Sequence, residues 1–376
     1  MKAKSFLDRL TVAVAALLIA ALAIALPLLP KKEFSEKERR ALAPFPTLRM
    51  ETLFDGRFFG AISDFYADHF PLREGWTALK ATCERALGKR ENNGILFGRD
   101  GYLIARGEYE DLSVASENLT SIRALCGSSD APVTVSILPR ALDVLTAYLP
   151  RGYDASRAGE IHVLIQNTVP QNVDRMPTLR AASKHGQAVF YRTDHHWTTS
   201  AAYLAYAELA PSLGIEPYPA EFFTQESATN QFYGTAAARA ALPDTVADEI
   251  LLYRYEGDDR YTVTVSETGT SLSSLYDKEA AVGEDPYAVF LGGNYARLEI
   301  VDGQTPDKPR LLLFKDSFAN SLIPFLALHF QLTVIDPRYE PTGAEALLRE
   351  ISPDRVLVLV GADTLATTPA LARLGR

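Results

Sequence analysis

The stretch RLLLFKDSFANSLIPFLALHFQLTVI, residues 310–335, decides the fold. Within it and after it, short apolar runs of strand length alternate with segments of helical length. The predicted order is strand, helix, strand, helix, strand, over residues 310–314, 318–329, 332–335, 345–350 and 355–360. Because strands that alternate with helices pack side by side in one sheet, the sequence predicts an α/β fold with a mostly parallel sheet and helices on both faces.

Two segments flank a polar tetrapeptide, Asp194-His195-His196-Trp197, farther upstream. Residues 188–191 are apolar and predict a strand that ends just before Asp194, and residues 199–209 predict the helix that follows. Residues 133–138 predict another buried strand. Residues 163–169 fit a helix and a strand equally well.

Residues 217–303 differ in character from both flanks. Two β-rich runs, 251–255 and 261–265, are separated by glycines and acidic turns. Such spacing is typical of antiparallel strands joined by turns. We therefore predict a β-rich insertion, antiparallel or irregular, over about residues 217–303.

The N-terminal segment is apolar enough to enter a membrane. Thr11–Leu29 contains no charged residue and follows Lys2, Lys4 and Arg9. Nineteen residues at helical rise can cross a bilayer core, and the run is longer than the apolar stretch of a usual signal peptide. We predict a retained single-pass anchor at residues 1–30; a cleaved signal peptide is the alternative.

A charged, proline-bearing segment follows the anchor. Residues 31–52 predict a juxtamembrane linker, and residues 53–376 the α/β domain with its insertion. The basic residues of the linker weaken the positive-inside argument for orientation. We nevertheless place the C-terminal part on the extracytoplasmic side of the cell membrane, or in secreted form if the segment is cleaved.

Residues 53–87 carry helical spacing. Phe54, Phe58, Phe59, Ile62 and Phe65 recur at short intervals. This pattern predicts an amphipathic helix whose apolar face packs on the core.

The charge and cysteine content exclude some functions. Residues 41–376 carry 30 basic and 43 acidic residues, a net charge of −13, so this body should repel nucleic acid. Its two cysteines, Cys83 and Cys126, are too few for a disulfide framework or a zinc site. One bridge between them and two separate thiols both remain open.

Ser317 is a candidate nucleophile. It lies where an apolar strand gives way to a helix, so its Oγ could project from the carboxyl edge of the sheet, near backbone N–H groups that can stabilise an oxyanion. The alternative is that Ser317 or Asp316 only caps the helix.

Asp194 and His196 are candidates for the base that such a serine needs. In an extended segment, residues two apart leave on the same face, so the Asp194 carboxylate could hold the His196 imidazole. The order along the chain would then be Asp, His, Ser. Asp-His-His also occurs in metal-dependent phosphoesterases, but the other histidines lack ligand-like spacing with acidic residues, and we predict no metal.

At these residues the sequence resembles the DHHW protein family, which belongs with the alginate O-acetylation proteins in the SGNH-hydrolase-like group. The specific elements are DHHW and KDSF. Weaker likeness is found at residues 42–46 and in HFPLRE at 69–74. The matching pieces are RTDHHWTTSAAYLAY (192–206), FYGTAAARA (232–240), and LLLFKDSFANSLIPFL (311–326) followed by IDPRYE (335–340).

The resemblance implies a permuted three-layer α/β/α sandwich of SGNH-hydrolase type. It places Asp194, His196 and Ser317 at the catalytic positions. Lys315 stands where those hydrolases usually carry glycine, which puts the tight turn and its oxyanion donors in doubt. Further candidates for substrate or oxyanion contact are His195, Trp197, Asn294, Asn320 and Arg338.

The resemblance also implies the function: a serine-dependent carbohydrate O-acetyltransferase or O-acetylesterase that acts on a cell-surface or exported polysaccharide. A membrane-bound O-acyltransferase is the expected acyl supplier, and no cofactor is expected. The alternative is a non-catalytic polysaccharide-binding or assembly subunit of a cell-envelope system.

Overall fold

A computed structural model describes residues 2–35, 37–38, 40–107, 109, 111–155 and 159–376. Met1 of the predicted anchor and two residues of the predicted linker, Glu36 and Arg39, lie outside the described residues. The chain forms two compact units. The first runs to Lys89 and includes 241–243, and the second comprises 90–240 and 244–376. The predicted start of the α/β domain at residue 53 stays a prediction.

The regular elements are as follows. The strands are β1 (Phe34–Ser35), β2 (Arg40–Ala41), β3 (Glu91–Asn92), β4 (Ile95–Phe97), β5 (Leu103–Ala105), β6 (Val133–Leu138), β7 (Thr224–Phe232), β8 (Asp248–Arg254), β9 (Tyr261–Val265), β10 (Ser271–Leu272), β11 (Arg297–Asp302), β12 (Arg310–Lys315), β13 (Gln331–Ile335) and β14 (Arg355–Gly361). The α-helices are α1 (Lys2–Leu28), α2 (Met50–Phe54), α3 (Arg57–Asp68), α4 (Arg73–Ala86), α5 (Ser113–Ser128), α6 (Ala141–Val144), α7 (Glu160–Thr168), α8 (Met176–Lys184), α9 (Thr199–Leu209), α10 (Thr235–Ala240), α11 (Ile323–Ala327), α12 (Ala344–Ile351) and α13 (Ala362–Thr367).

A seven-stranded sheet organises the second unit, in the order β10-β9-β11-β13-β12-β14-β6. The neighbours β13, β12, β14 and β6 are parallel, and β12 lies between β13 and β14. Strands β11, β9 and β10 continue the sheet in antiparallel fashion. The predicted strands of the 310–360 region are thus confirmed, and the four parallel strands form one side of the sheet, with β6 at its edge.

The β-rich insertion is only partly a separate element. Strands β7 and β8 pair with each other alone, but β9, β10 and β11 join the main sheet. Their inward positions Tyr261, Val263 and Val265 are buried. The sequence indicated antiparallel strands but could not show that they extend the parallel sheet, because strand pairing joins residues distant in sequence.

Helices cover both faces of the sheet. Along β12, Leu311 and Leu313 belong to one buried apolar cluster, which includes residues of α8 and α9. Leu312 and Phe314 belong to a second cluster, which includes residues of α5 and α12. Since successive strand residues point to opposite faces, this alternation establishes three layers, α/β/α.

Three local expectations are corrected or resolved. Residues 188–191 do not form a sheet strand, since Phe190 makes only an isolated bridge to Trp197. The predicted helix 318–329 is a 3₁₀ turn at Ser317–Ser321 followed by the short α11, because Pro324 has no N–H to continue a single helix. The ambiguous segment 163–169 belongs largely to helix α7.

In the first unit, α1 contains an apolar stretch, Asp8–Leu26, with a mean hydropathy of 2.4 and no burial within the protein. This stretch is long and apolar enough to cross a membrane, as are some signal sequences. The predicted helix at 53–87 is three helices, broken at Gly56 (φ 81°) and Leu72 (φ 58°).

The predicted core face of that helical segment forms only in part. Phe65 is buried and Phe58 and Ile62 are half-buried, but Phe54 and Phe59 are exposed. The reason is that the described elements of the first unit leave most of this apolar surface uncovered. Cys83 is exposed, Cys126 is half-buried, and both are free thiols.

Candidate functional site

The turn after β12 presents Ser317. Asp316 closes the strand, and its Oδ1 accepts the Phe318 N–H at 3.0 Å while its Oδ2 accepts the Gly361 N–H at 2.7 Å. Asp316 therefore caps the 3₁₀ turn, as one of the two alternatives supposed. Ser317 is the first residue of that turn and is half-buried. Its Oγ takes no part in the cap. Lys315, which stands at the usual glycine position, does not have a positive φ, so this turn needs no glycine there.

The Asp194–Trp197 turn has a different construction. The Tyr191 N–H donates to the His196 carbonyl at 3.2 Å, and the Thr198 N–H donates to the Val189 carbonyl at 3.1 Å. The turn is thus closed on itself between α8 and α9, and the expectation that it follows a sheet strand is wrong. Here side-chain contacts take over the positioning that a strand would provide.

Asp194, His196 and Ser317 form one hydrogen-bonded chain. The Asp194 Oδ1 accepts from the His196 backbone N–H at 2.9 Å and lies 2.6 Å from His196 Nδ1. His196 Nε2 lies 2.8 Å from Ser317 Oγ. A carboxylate can only accept, so Nδ1 carries the proton and Nε2 is left to accept the Ser317 hydroxyl proton. The same-face argument from an extended segment does not apply, because the two side chains meet through a tight turn.

The second oxygen of Asp194 is held by the start of α10. Its Oδ2 accepts from the Thr235 N–H at 2.7 Å and from the Thr235 hydroxyl at 3.0 Å. Gly234 makes this approach possible, because a Cβ there would lie 2.2 Å from Asp194 Cβ. With two donors on each oxygen, the Asp194 carboxylate is fully hydrogen-bonded.

A buried carboxylate also fixes the base of the turn. Asp248, at the start of β8, accepts from the Arg192 N–H at 3.0 Å and from the Thr193 N–H at 2.7 Å. Burial raises the pKa of Asp248, although the bonds from Thr193 and Arg192 oppose it. Strand β8 of the insertion thus supplies Asp248, and the segment between β7 and β8 supplies Gly234 and Thr235.

The electrostatics favour an ionised Asp194. Burial alone would raise its pKa, but the neighbouring His195 and His196 and the hydrogen bonds from His196 outweigh burial and hold the pKa of Asp194 well below its usual range. An anion beside Nδ1 stabilises the imidazolium that forms when His196 takes a proton.

Aromatic side chains fix the plane of the His196 ring. Tyr287 stacks on it with a centroid separation of 4.0 Å and an interplanar angle of 9°. Phe318 meets it edge-on at 5.1 Å. The Tyr287 hydroxyl donates to the Ser317 carbonyl at 3.3 Å, so one residue contacts both sides of the His196–Ser317 pair.

His195 and Trp197 have unequal positions. His195 is half exposed, and its Nδ1 lies 2.8 Å from Thr235 Oγ1. Trp197 is fully buried, and its Nε1 donates to the Phe318 carbonyl at 2.9 Å and to Ser321 Oγ at 3.0 Å. Trp197 therefore ties the turn to the segment that carries Ser317, and its burial removes it from contact with a sugar.

Lys315 anchors a second polar cluster at the same end of β12. Its buried Nζ donates to Asn294 Oδ1 and to Asn320 Oδ1, both at 2.9 Å, and lies 3.6 Å from Asp336 Oδ2. Burial lowers the pKa of Lys315 to about 8, although the Asp336 carboxylate opposes the shift. Arg338 also pairs with Asp336, at 2.9 Å from Nε to Oδ1 and 2.6 Å from Nη2 to Oδ2.

These contacts distinguish the remaining candidates. Asn320 is buried, with its Nδ2 3.2 Å from Asn294 Oδ1, and Arg338 is held by Asp336. Asn294 is exposed, and two donors fix its Oδ1, so its amide nitrogen points away from the cluster. Among the described residues, Asn294 Nδ2 has no partner. All three stay predicted contacts, and the Asn294 amide is the more exposed donor, since Arg338 is held by Asp336 through Nε and Nη2.

Asp194, His195 and His196 also form a group whose ligand atoms lie within 4.8 Å of one another, as a metal site would require. In this structure, however, Thr235 and Ser317 engage these same atoms. An ion would have to displace both, so the donor set fits a hydrogen-bonded triad better than a metal centre. The expectation of no metal stays a prediction.

Several residues of the site carried no recognised signal. Thr235 and Gly234 lie within the FYGTAAARA stretch, which pointed to the family but not to a role. The sequence around Tyr287 and around Asp248 contains no motif, and only the fold brings these residues to the triad. Lys315 was noticed because it stands where related hydrolases carry glycine, but this difference did not indicate a buried polar cluster.

The chain is similar in sequence to a known protein family and to named relatives. Residues 109–335 match the family model for DHHW protein. The probable alginate O-acetylase AlgJ of Pseudomonas syringae pv. tomato is 24% identical over 316 residues, covering 75% of this chain and 79% of that protein. Its counterpart in Pseudomonas putida is 27% identical over 314 residues, covering 74% and 80%.

Solved structures confirm the predicted SGNH-hydrolase-like fold. A DHHW family protein from Eubacterium siraeum has a TM-score of 0.61 at 23% identity, covering 75% of this chain and 95% of that one. PatB1 of Bacillus cereus has a TM-score of 0.60 at 18% identity, covering 73% and 98%. With the family model matched over more than half of its length, and the Asp-His-His-Trp turn at the centre of its site, this chain belongs to the DHHW protein family.

Proposed function

We propose that this protein is a serine-dependent carbohydrate O-acetyltransferase that acts on an extracytoplasmic polysaccharide. The observation that carries the proposal is the continuous chain from Asp194 through His196 to Ser317, with contacts of 2.6 and 2.8 Å. The names of the relatives, probable alginate O-acetylases, support acetyl transfer to a polysaccharide. The apolar stretch of α1 supports placement at a membrane.

The first half-reaction forms an acetyl-serine. Ser317 Oγ attacks the carbonyl carbon of an acetyl donor while His196 Nε2 takes the hydroxyl proton. The leaving group departs with its bonding electrons and receives that proton from His196. Asp194 keeps Nδ1 as the donor and stabilises the transient imidazolium.

The second half-reaction returns the enzyme to its starting state. A sugar hydroxyl attacks the acetyl-serine carbonyl, its proton passes to His196 Nε2, and Ser317 Oγ leaves and recovers the proton. The product is an O-acetylated sugar. Water in place of the sugar gives hydrolysis with the same residues, so exclusion of water separates a transferase from an esterase.

Donors for the oxyanion come from the turn and from Asn294. The first N–H groups of a helical turn lack internal acceptors, and Ser317 opens the 3₁₀ turn, which makes its N–H one donor. The Phe318 N–H is committed to Asp316. We assign the second donor to Asn294 Nδ2, which Lys315 and Asn320 orient by holding Oδ1.

The supply of acetyl groups fits the membrane location. A membrane-bound O-acyltransferase remains the partner we propose as acyl donor, with α1 keeping this protein near it. No cofactor enters the proposed steps, since a histidine base and an acyl-serine complete the transfer.

The test is capture of the acyl-enzyme. The full-length protein is mixed with p-nitrophenyl acetate, nitrophenolate release is followed in the first turnovers, and intact mass is recorded after acid quench. We expect a burst and one added acetyl group on Ser317, and neither in Ser317→Ala. A burst that persists in Ser317→Ala would remove Ser317 as nucleophile.

Acceptor specificity needs a second measurement. Adding an oligosaccharide should divert the acetyl group from free acetate to a sugar ester. Protein that binds the oligosaccharide but forms no acyl-serine with this donor or with a membrane-derived one would instead support the non-catalytic binding alternative.

A further inference from the structure

Helix α4 carries an apolar stripe on its outer side. We define the stripe as Leu72, Trp76, Leu79, Cys83 and Leu87, which recur every three or four residues. Leu72 is 76% exposed, Leu79 52% and Leu87 88%. An amphipathic helix of a globular unit normally turns such a stripe inward. In α4 the arrangement is reversed, so this face requires an apolar environment outside the unit.

The inward side of α4 is largely polar. Arg73 pairs with Glu38, and the half-buried Glu84 with Lys89 at 2.7 Å. Only Ala81 is buried among the described residues of this helix. The Arg73–Glu38 pair therefore ties the start of α4 to the segment after α1, and the stripe is left exposed.

The stripe begins next to the end of α1. Leu29 and Leu72 line one cavity of about 520 Å³. His69 lies 3.0 Å through Nε2 from the Lys32 carbonyl, and Lys37 Nζ lies 3.2 Å from Glu74 Oε2. Because the apolar stretch of α1 ends at Leu26, these contacts bring the start of α4 to the level where a bilayer gives way to its headgroups.

Charge favours a lipid surface as the partner. Residues 27–89, which follow the apolar stretch of α1, carry 11 Lys/Arg and 9 Asp/Glu, whereas residues 90–376 carry 24 and 37. Lys80 and Arg57 have side-chain exposures of 68% and 72%, although each pairs with a carboxylate, Lys80 with Glu84 and Arg57 with Asp55. Basic side chains beside an exposed apolar face favour anionic headgroups, and tryptophan is enriched at this depth.

We propose that the stripe of α4 lies in the headgroup layer of the bilayer that α1 enters. This inference rests on the proposed membrane insertion of α1 and not on acetyl transfer. With α4 bound to the headgroup layer, two elements, α1 and α4, attach the first unit to the membrane.

The two tryptophans make a direct test possible. Trp76 lies on the stripe, and Trp197 is fully buried in the second unit. The full-length chain is reconstituted in vesicles of phosphatidylcholine and phosphatidylglycerol, with acyl chains brominated near the headgroup. We expect loss of most Trp76 emission on bromination and protection of Trp76 from aqueous iodide. Trp76→Phe should abolish the bromine effect and leave only the unresponsive Trp197.

A second pair of variants tests the stripe itself. Leu72→Ser with Leu79→Ser should restore iodide quenching of Trp76 and reduce bromine quenching. Val282→Ser, at an 84% exposed position of the second unit, is the matched control and should change neither.

Iodide quenching of Trp76 in vesicles without any bromine effect would overturn the proposal. Failure of the wild type to co-float with the vesicles would overturn it through its premise. Neither outcome bears on acetyl transfer, since the Ser317 burst can be measured in the same samples. An unchanged burst in Trp76→Phe would show that the two proposals succeed or fail separately.

Discussion

Ser317 and His196 reach the same hydrogen bond from two different kinds of scaffold. Ser317 follows β12, which is paired on both sides with parallel strands. Its neighbours Leu313 and Phe314 are buried on opposite faces of the sheet. Backbone pairing and apolar packing therefore fix Ser317, and no single polar contact decides its position.

His196 lies in a turn outside the sheet. Its place depends on Asp194, which depends on Thr235, and on Asp248 at the base of the turn. Trp197 joins this turn to the serine segment. We therefore expect the proposed nucleophile, which follows a strand, to tolerate local changes, and the proposed base, which lies in a loop, to be sensitive to the loss of one contact.

The largest effect should come from Ser317→Ala. We expect a loss of acylation on the order of 10⁴-fold or more, because the acyl-enzyme cannot form. The free energy of unfolding should change by less than about 1 kcal/mol, since β12 holds the segment. Burst kinetics and urea unfolding measure the two quantities. Ser321→Ala, in the same turn, is the control and should keep the burst. Loss of the burst in Ser321→Ala would show that substitution disturbs the turn itself.

The two histidines should differ sharply. His196→Ala removes the base and should lower acylation about 10⁴-fold, whereas His195→Ala should lower it by about tenfold or less. The physical reason is that only His196 contacts Ser317 Oγ. Single-turnover rates with the acetyl ester provide the measurement. A larger loss of acylation for His195→Ala than for His196→Ala would show that His196 is not the base.

Gly234→Ala should displace the loop side alone. The added Cβ would lie 2.2 Å from Asp194 Cβ, so the carboxylate must move. We expect kcat to fall about 10²-fold, as for a catalytic group shifted by about 1 Å, with a smaller change in KM. Gly127→Ala in α5, where a Cβ meets nothing within 4 Å, is the control and should leave kcat unchanged. Equal kcat in both variants would mean that the Asp194 position is not fixed by Gly234.

Lys315 tests the sheet side through pH. Its pKa falls from 10.5 in the unfolded chain to about 8 in the fold, so the unfolded state binds the extra proton between these values. The free energy of unfolding of the wild type should therefore rise relative to Lys315→Met as pH increases from 8 to about 10.5. Urea unfolding over this range gives the difference. Parallel curves would show that Lys315 keeps its ordinary pKa in the fold.

The smallest effect should come from Tyr287→Phe. This change keeps the ring stacked on His196 and removes only hydroxyl bonds of 3.3 and 3.4 Å. We expect acylation to fall by less than about tenfold, the equivalent of one weak hydrogen bond. Tyr287→Leu, which loses the stack, should fall further. Equal rates for the two variants would remove the stack as a positioning contact.

Local pattern predicted most of the parallel sheet. The apolar runs that form β6, β12, β13 and β14 are five to seven residues long and buried, so their length and composition predicted them. The prediction of a strand at residues 188–191 is wrong, because an apolar run can be buried without pairing in a sheet. Pairing of β9–β11 with the parallel strands joins distant residues, and no local pattern reports it.

The candidate triad was named from residue chemistry and resemblance, and its catalytic role stays a prediction. The structure added the contacts that a sequence cannot contain. Thr235, Asp248 and Tyr287 are ordinary in sequence and become part of the site only because β7, β8 and the segment after them fold back onto the turn.

The sequence by itself determined the alternation of strands and helices, the residues with nucleophile and base chemistry, and the apolar N-terminal stretch. Each of these depends on residue type or on spacing along the chain, which a sequence displays. Only the tertiary structure decided that His196 lies 2.8 Å from Ser317, that Lys315 is buried beside Asp336, and that α4 turns its apolar stripe outward. Those outcomes depend on which distant surfaces meet, because burial and pairing are properties of the folded chain.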